Sequence, residues 1–183
     1  AAKGGDSFKF DLPKCKISDK KGGFLKYDFS FSGLKTAVLR LIEKINNNDG
    51  PLPLEDIAAS FERVVAEVLV ERSLNCVIDN NLLDIVVVGG VAANKTLRKM
   101  MINEAAKKSI RVHLAPLSLC TDNAAMIGAA ALSRLNMGNY ESSLKLGVSA
   151  RLPIDEALSL YHKIPPFWLT SMSKKMNKIE PET

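Results

Sequence analysis

Two histidines and three cysteines are all that 183 residues hold of the softer metal-binding side chains. No HxxH, HxxxH or CxxC pair occurs, so the chain cannot complete a transition-metal shell by itself. Cys15, Cys76 and Cys120 are odd in number and far apart, which excludes a disulfide framework or a zinc knuckle and points to a reducing compartment. No apolar run approaches the roughly 20 residues of a membrane span, and internal repeats are absent. What is present is ordinary for a globular protein: 46% hydrophobic and 25% charged residues, interspersed, with a net charge of +5 that tolerates a polyanionic partner without requiring one. The chain opens on Ala1 rather than Met, and residues 1–5 read as the last turn and cap of a helix whose body is missing, so a fragment is expected.

The stretch from Ile85 through Arg98 organises the rest. Ile85, Val86, Val87 and Val88 form a β-branched run without alternation, the pattern of a strand buried on both faces of a parallel sheet. Gly89 and Gly90 then permit positive φ and close approach of a ligand, and Asn94 stands where a helix-capping side chain would. The following helix directs its free N–H groups at the turn, which suits a phosphate or carboxylate, although a glycine that merely turns the chain has the same appearance. The fold class is therefore α/β.

On either side of this unit the pattern is plain. Phe8, Phe10 and Leu12 alternate with polar residues as a short half-buried strand would, and Pro13 ends it. A loop with lysines at 14, 16, 20, 21 and 26 has the composition of a solvated segment, or of one that meets a nucleic-acid backbone. Phe29 and Phe31 alternate again; Ser32 can cap a helix lined by Leu34, Val38, Leu41 and Ile45, and Ser30, Ser32 and Lys35 stand at that junction as possible ligand contacts. Residues 54–78 read as one long amphipathic helix, with Glu62, Arg63, Glu67, Glu71 and Arg72 on a solvated, salt-bridged face. A helix over 94–108 leads to a second strand at 110–114, where His113 reads as structural rather than as a metal ligand. A helix of small side chains starts after Asn123; a short helix from Arg151 and a disordered tail close the chain. The corresponding division is 1–137 for the main lobe and 138–183 for a closing segment.

Asn94 and Asp122 each follow a strand by a few residues. Parallel strands deliver their carboxyl ends to one edge, and ligands bind in the crevice there, so the two side chains are expected to face one pocket. Asp122 is open to two readings: the cap of the next helix, or a carboxylate held out toward a cation or substrate.

Three segments, Phe29 to Thr36, Val88 to Asn94 and Leu119 to Ile127, resemble in that order the C-terminal signatures of TsaD-type tRNA threonylcarbamoyltransferases, once grouped as O-sialoglycoprotein endopeptidases. The resemblance runs from about Phe8 to Pro166. It implies an actin, sugar-kinase and Hsp70-like (ASKHA) fold of two lobes around a nucleotide cleft, with a mixed sheet flanked by helices, of which this chain is a fragment. It also implies transfer of threonylcarbamoyl from its adenylate to the adenosine beside the anticodon in tRNAs reading codons that begin with A. Carried over by position, Asn94 binds the adenylate, Gly89 and Gly90 line it, and Asp122 is one ligand of a divalent metal, iron first and zinc second. The family's other metal ligands are two histidines of the N-terminal half, absent here, so this chain alone is expected to be inactive. The partners implied are tRNA, threonylcarbamoyl-AMP, a paralogous subunit and an ATPase, without a membrane, in the cytoplasm or an organelle. Rival expectations are an ASKHA small-molecule kinase and a non-catalytic nucleotide-binding paralogue. Nothing in the sequence supports a peptidase: it has no zinc helix with a glutamate base and no Ser, His and Asp set.

Overall fold

The computed structural model describes residues 2–19, 22–47, 51–136, 150, 151 and 153. The chain divides into two compact units, residues 1–122 and 123–183. In the first, the order is α1 (Ser32–Asn46), α2 (Leu54–Asp79), β1 (Asp84–Val87), a 3₁₀ turn (Gly90–Ala93), α3 (Lys95–Ala106), β2 (Arg111–Leu114) and a second 3₁₀ turn (Leu117–Leu119). The second contributes α4 (Ala124–Asn136). The expected helix after Arg151 lies outside the described residues.

Helix α2 is the pillar of the first unit. Its 26 residues extend roughly 39 Å at the α-helical rise. One side, with Ala66, Val70, Leu74 and Val77, packs against Leu97, Met101 and Ala105 of α3 and against Ile110. The other, with Val64 and Val68, packs against Leu34 of α1 and Leu12. A helix apolar on two sides has no single stripe, so the amphipathic reading is too simple here. Each of the Val, Leu, Ile and Met side chains among these contributes about 1.5–3 kcal/mol by leaving water.

Two-sided burial also explains a failed expectation about charge. Arg72 is buried, not solvated. Its guanidinium donates to the carbonyls of Asp28 and Cys15 and lies over the Phe29 ring, tying the lysine-bearing loop to the pillar. The three described lysines of that loop are committed as well. Lys14 pairs with Glu67 at 3.0 Å, Lys26 pairs with Asp79, and Lys16 stacks on Phe24.

Residues 6–13 form turns and extended chain rather than a strand, because they lie along α2 instead of beside another strand. Phe10 donates its N–H to the fully buried Ser60 hydroxyl at 3.2 Å, and Leu12 inserts into the core. Phe29 and Phe31 likewise precede α1 without forming a strand, and Ser32 is the first residue of that helix rather than its cap.

Strands β1 and β2 are parallel, with Asp84 opposite Arg111 and Val87 opposite Leu114. Ile85, Val87 and Val112 pack on the α2–α3 core, while Val86 and Val88 are 66% and 67% exposed. The sheet is thus covered on one face only among the described residues, contrary to a strand buried on both. Its open face carries an ion cluster: Asp84 accepts from Arg111 Nε at 2.7 Å and lies 2.8 Å from His113 Nε2. This gives His113 the structural partner expected of it. The Arg111 guanidinium, then the His113 contact, hold the Asp84 carboxyl well below the usual carboxylate range. Among the described residues, no helix is long and apolar enough to cross a membrane.

Replacing Arg72 by Met leaves two loop carbonyls without their donor and should cost about 2–3 kcal/mol in denaturant unfolding. Limited proteolysis should then cut within 14–31 first. A depressed carboxylate stabilises the fold above its ordinary value of 3.8 and loses that contribution as pH falls through the folded value. The stability gap between the parent and Asp84→Asn should accordingly shrink below pH 3.8 in acid titrations; a gap that persists unchanged to pH 2 contradicts the assignment.

Candidate functional site

The site begins at the carboxyl end of β1. Gly89 has φ of +89°, a conformation that L side chains rarely adopt, and a Cβ built on Gly89 or Gly90 would meet no atom within 4 Å. The glycine at 89 is thus required by the backbone. At 90, nothing in the packing of the described residues demands one, and the surface over the turn is open. The chain does not pass directly into α3: the 3₁₀ turn Gly90–Ala93 intervenes, buried through Ala92.

Asn94 then caps α3. Its side-chain oxygen accepts from Leu97 N–H at 2.8 Å, and its amide nitrogen donates to Glu62 Oε1 of α2 at 2.7 Å. Thr96 donates its hydroxyl to the other oxygen of Glu62 at 2.8 Å. A carboxamide has two acceptor and two donor positions, so among the described residues one of each remains open on Asn94. The N–H groups of Lys95 and Thr96, in the first turn of α3, have no intrahelical partner. Asn94, Glu62 and Val91 border a cavity of about 250 Å³ floored by Ala58, Phe61 and Val65.

The second loop follows β2. Arg98, one turn into α3, donates from Nη1 to Ala92 O at 2.9 Å and to Ala115 O at 3.0 Å, and lies 3.8 Å from Cys120 Sγ. One guanidinium therefore fastens the glycine-led turn after β1 to the loop after β2. That loop ends at Asp122, which is exposed and makes no hydrogen bond or ion pair with another described residue. The cap of α4 is Asn123, whose side-chain oxygen accepts from Met126 N–H at 3.1 Å. Of the two readings left open for Asp122, the helix cap is therefore excluded. Among the described residues no group of three His, Cys, Asp or Glu could hold a metal ion. An exposed, unbonded carboxylate suits one ligand of a hard cation and no more.

The sequence model of the family described as TsaD: tRNA N6-adenosine threonylcarbamoyltransferase matches residues 1–129. The chain belongs to the TsaD family. Curated relatives carrying the name tRNA N6-adenosine threonylcarbamoyltransferase include one from Prochlorococcus marinus subsp. pastoris, 75% identical over 91% of this chain. Others are from Prochlorococcus marinus strains MIT 9515 and NATL1A, 74% and 61% identical over the same share. The chain spans about half the length of these relatives, 47% in each case. Among the described residues the sheet is two parallel strands rather than mixed, and with its covering helices it makes an α/β fold, in keeping with the ASKHA-type fold of the TsaD family.

Glu62, Thr96 and Arg98 escaped the reading of the sequence. The signals were present. Glu62 interrupts an otherwise apolar helical face of Ala58, Val65, Ala66 and Leu69, and Arg98 places a cation near a helix N-terminus, against the preference of the dipole. Ser30, Ser32 and Lys35 stand at the start of α1, and no side-chain hydrogen bond joins them to either loop among the described residues.

Replacing Arg98 by Met should unfasten the two loops. The expected outcome is about 2 kcal/mol lost in denaturant unfolding, together with faster amide hydrogen exchange at residues 115–120. Unchanged exchange there would show that the guanidinium is not what holds the loops.

Proposed function

We propose that this chain forms the C-terminal part of a tRNA N6-adenosine threonylcarbamoyltransferase, which moves threonylcarbamoyl from threonylcarbamoyl-AMP to the adenosine beside the anticodon. The observation that carries the reading is the 75% identity, over 91% of the chain, to a relative of that name. The geometry supports it: an open glycine turn with positive φ, a helix start whose first N–H groups have no intrahelical partner, and, on the loop fastened beside them, a carboxylate that no other described residue bonds.

In this reading the Gly89 and Gly90 backbone lines the adenylate, whose charge is attracted by the α3 N-terminus, and Asn94 offers its open donor and acceptor to the nucleotide. The exocyclic amine of the tRNA adenosine attacks the threonylcarbamoyl carbonyl carbon, a C–N bond forms as the C–O bond to phosphate breaks, and AMP leaves together with one amine proton. Asp122 supplies one oxygen ligand to a divalent metal, iron before zinc. When bound, that ion provides Lewis acidity at the carbonyl or the phosphate. Asp122 cannot complete a metal shell, so the chain by itself is expected to be inactive. Its working form includes the two-histidine half of the site, tRNA, a paralogous subunit and an ATPase, in the cytoplasm. The domain boundary at 137/138 belongs to the same proposal.

In the intact enzyme, Asp122→Ala should remove metal content and tRNA modification together, each about tenfold or more below the parent. Full metal occupancy in that variant would defeat the ligand assignment. Phosphorylation of sugars from ATP by the intact enzyme, with no tRNA present, would instead favour a kinase.

A further inference from the structure

We infer that Glu62 is the positioning residue that sets which way the Asn94 amide faces, and so determines nucleotide affinity. The inference rests on the reading of Asn94 as a nucleotide-binding residue. An asparagine amide can flip by half a turn at little cost unless its neighbours distinguish nitrogen from oxygen. Here two neighbours do. Leu97 N–H can only donate, and it takes Oδ1 at 2.8 Å. The Glu62 carboxylate, when ionised, can only accept, and it takes Nδ2 at 2.7 Å. Thr96 occupies the second carboxylate oxygen at 2.8 Å, which stops the acid from rotating away.

Glu62 approaches from α2, the most deeply anchored element, whereas Asn94 stands at the junction of the 3₁₀ turn and α3. The carboxylate therefore references the amide to the core rather than to its own loop. Flipping the amide would set the carboxylate against Oδ1 and Leu97 N–H against Nδ2, two repulsive contacts in place of two attractive ones. With the amide held, its remaining N–H and lone pair keep fixed directions. A ligand then meets a preorganised donor and acceptor, which removes the ordering cost from binding.

The test uses the intact, metal-loaded enzyme, with AMP as the calorimetric probe. Glu62→Ala should weaken AMP about tenfold, or about 1.4 kcal/mol, and raise KM for the adenylate with kcat and metal content nearly unchanged. Glu62→Gln should restore affinity, because its amide oxygen can accept from Asn94 while its nitrogen donates to the Thr96 hydroxyl. Asn94→Ser keeps the helix cap but lacks the amide, so adding Glu62→Ala to it should cause no further loss in affinity. A Glu62→Ala enzyme that binds AMP like the parent, or equal added losses in both Asn94 backgrounds, would overturn the inference. If Asn94→Ser alone binds AMP normally, the nucleotide-binding reading of Asn94 fails instead.

Discussion

Two-sided burial of α2 is the constraint on which the described structure of the first unit depends. A helix of this length with one apolar stripe could rest on a single neighbour; this one must be covered from both sides. α3 and the sheet answer one side, and α1 with the N-terminal segment answers the other. Polar groups of α2 that would be solvated on a surface helix are consequently turned to internal use. Ser60 satisfies the Phe10 amide, Arg72 holds two loop carbonyls, and Glu62 holds the Asn94 cap.

The site inherits its rigidity from that pillar. Catalytic and binding groups on loops are only as well placed as the scaffold behind them. On the α2 side, the glycine-led turn is referenced through Glu62. On the β2 side, it is joined through Arg98 to the backbone that leads to Asp122. Those two side chains of opposite charge approach the turn from different elements and leave its glycines open, as a ligand-facing surface needs. The functional reading draws on this arrangement as well as on similarity to relatives.

Much of this was legible in the sequence, and where legibility failed the cause was the same each time. The spans of α1, α2 and α3 and the capping by Asn94 follow from periodicity, breakers and short-range hydrogen bonding, all of which are local, while the parallel pairing of β1 with β2 follows from the strand–helix–strand order. The expected strands at Phe8 to Leu12 and Phe29 to Phe31 did not form, because alternation records one buried face without saying what buries it. Here the cover is the side of α2, and no neighbouring strand offers a ladder. The apolar run of β1 was read as burial on both faces, yet Val86 and Val88 lie on the open one. Glu62 and Arg72 were assigned to water because charge is a statistical guide to exposure, and only the packed neighbours reveal a partner.

Sequence by itself determined the helices, the glycine at 89, the cap at 94 and the kinship of the chain, since each depends on residues within a few positions or on ordered motifs. Tertiary structure decided which face of the sheet is covered, that Asn123 rather than Asp122 caps α4, and that Glu62 and Arg98 brace the candidate site. Asn94 and Glu62 are separated by 32 positions, and Arg98 and Ala115 by 17. Hydrogen bonds over such separations exist only after the helices have packed, and no local pattern encodes their partners.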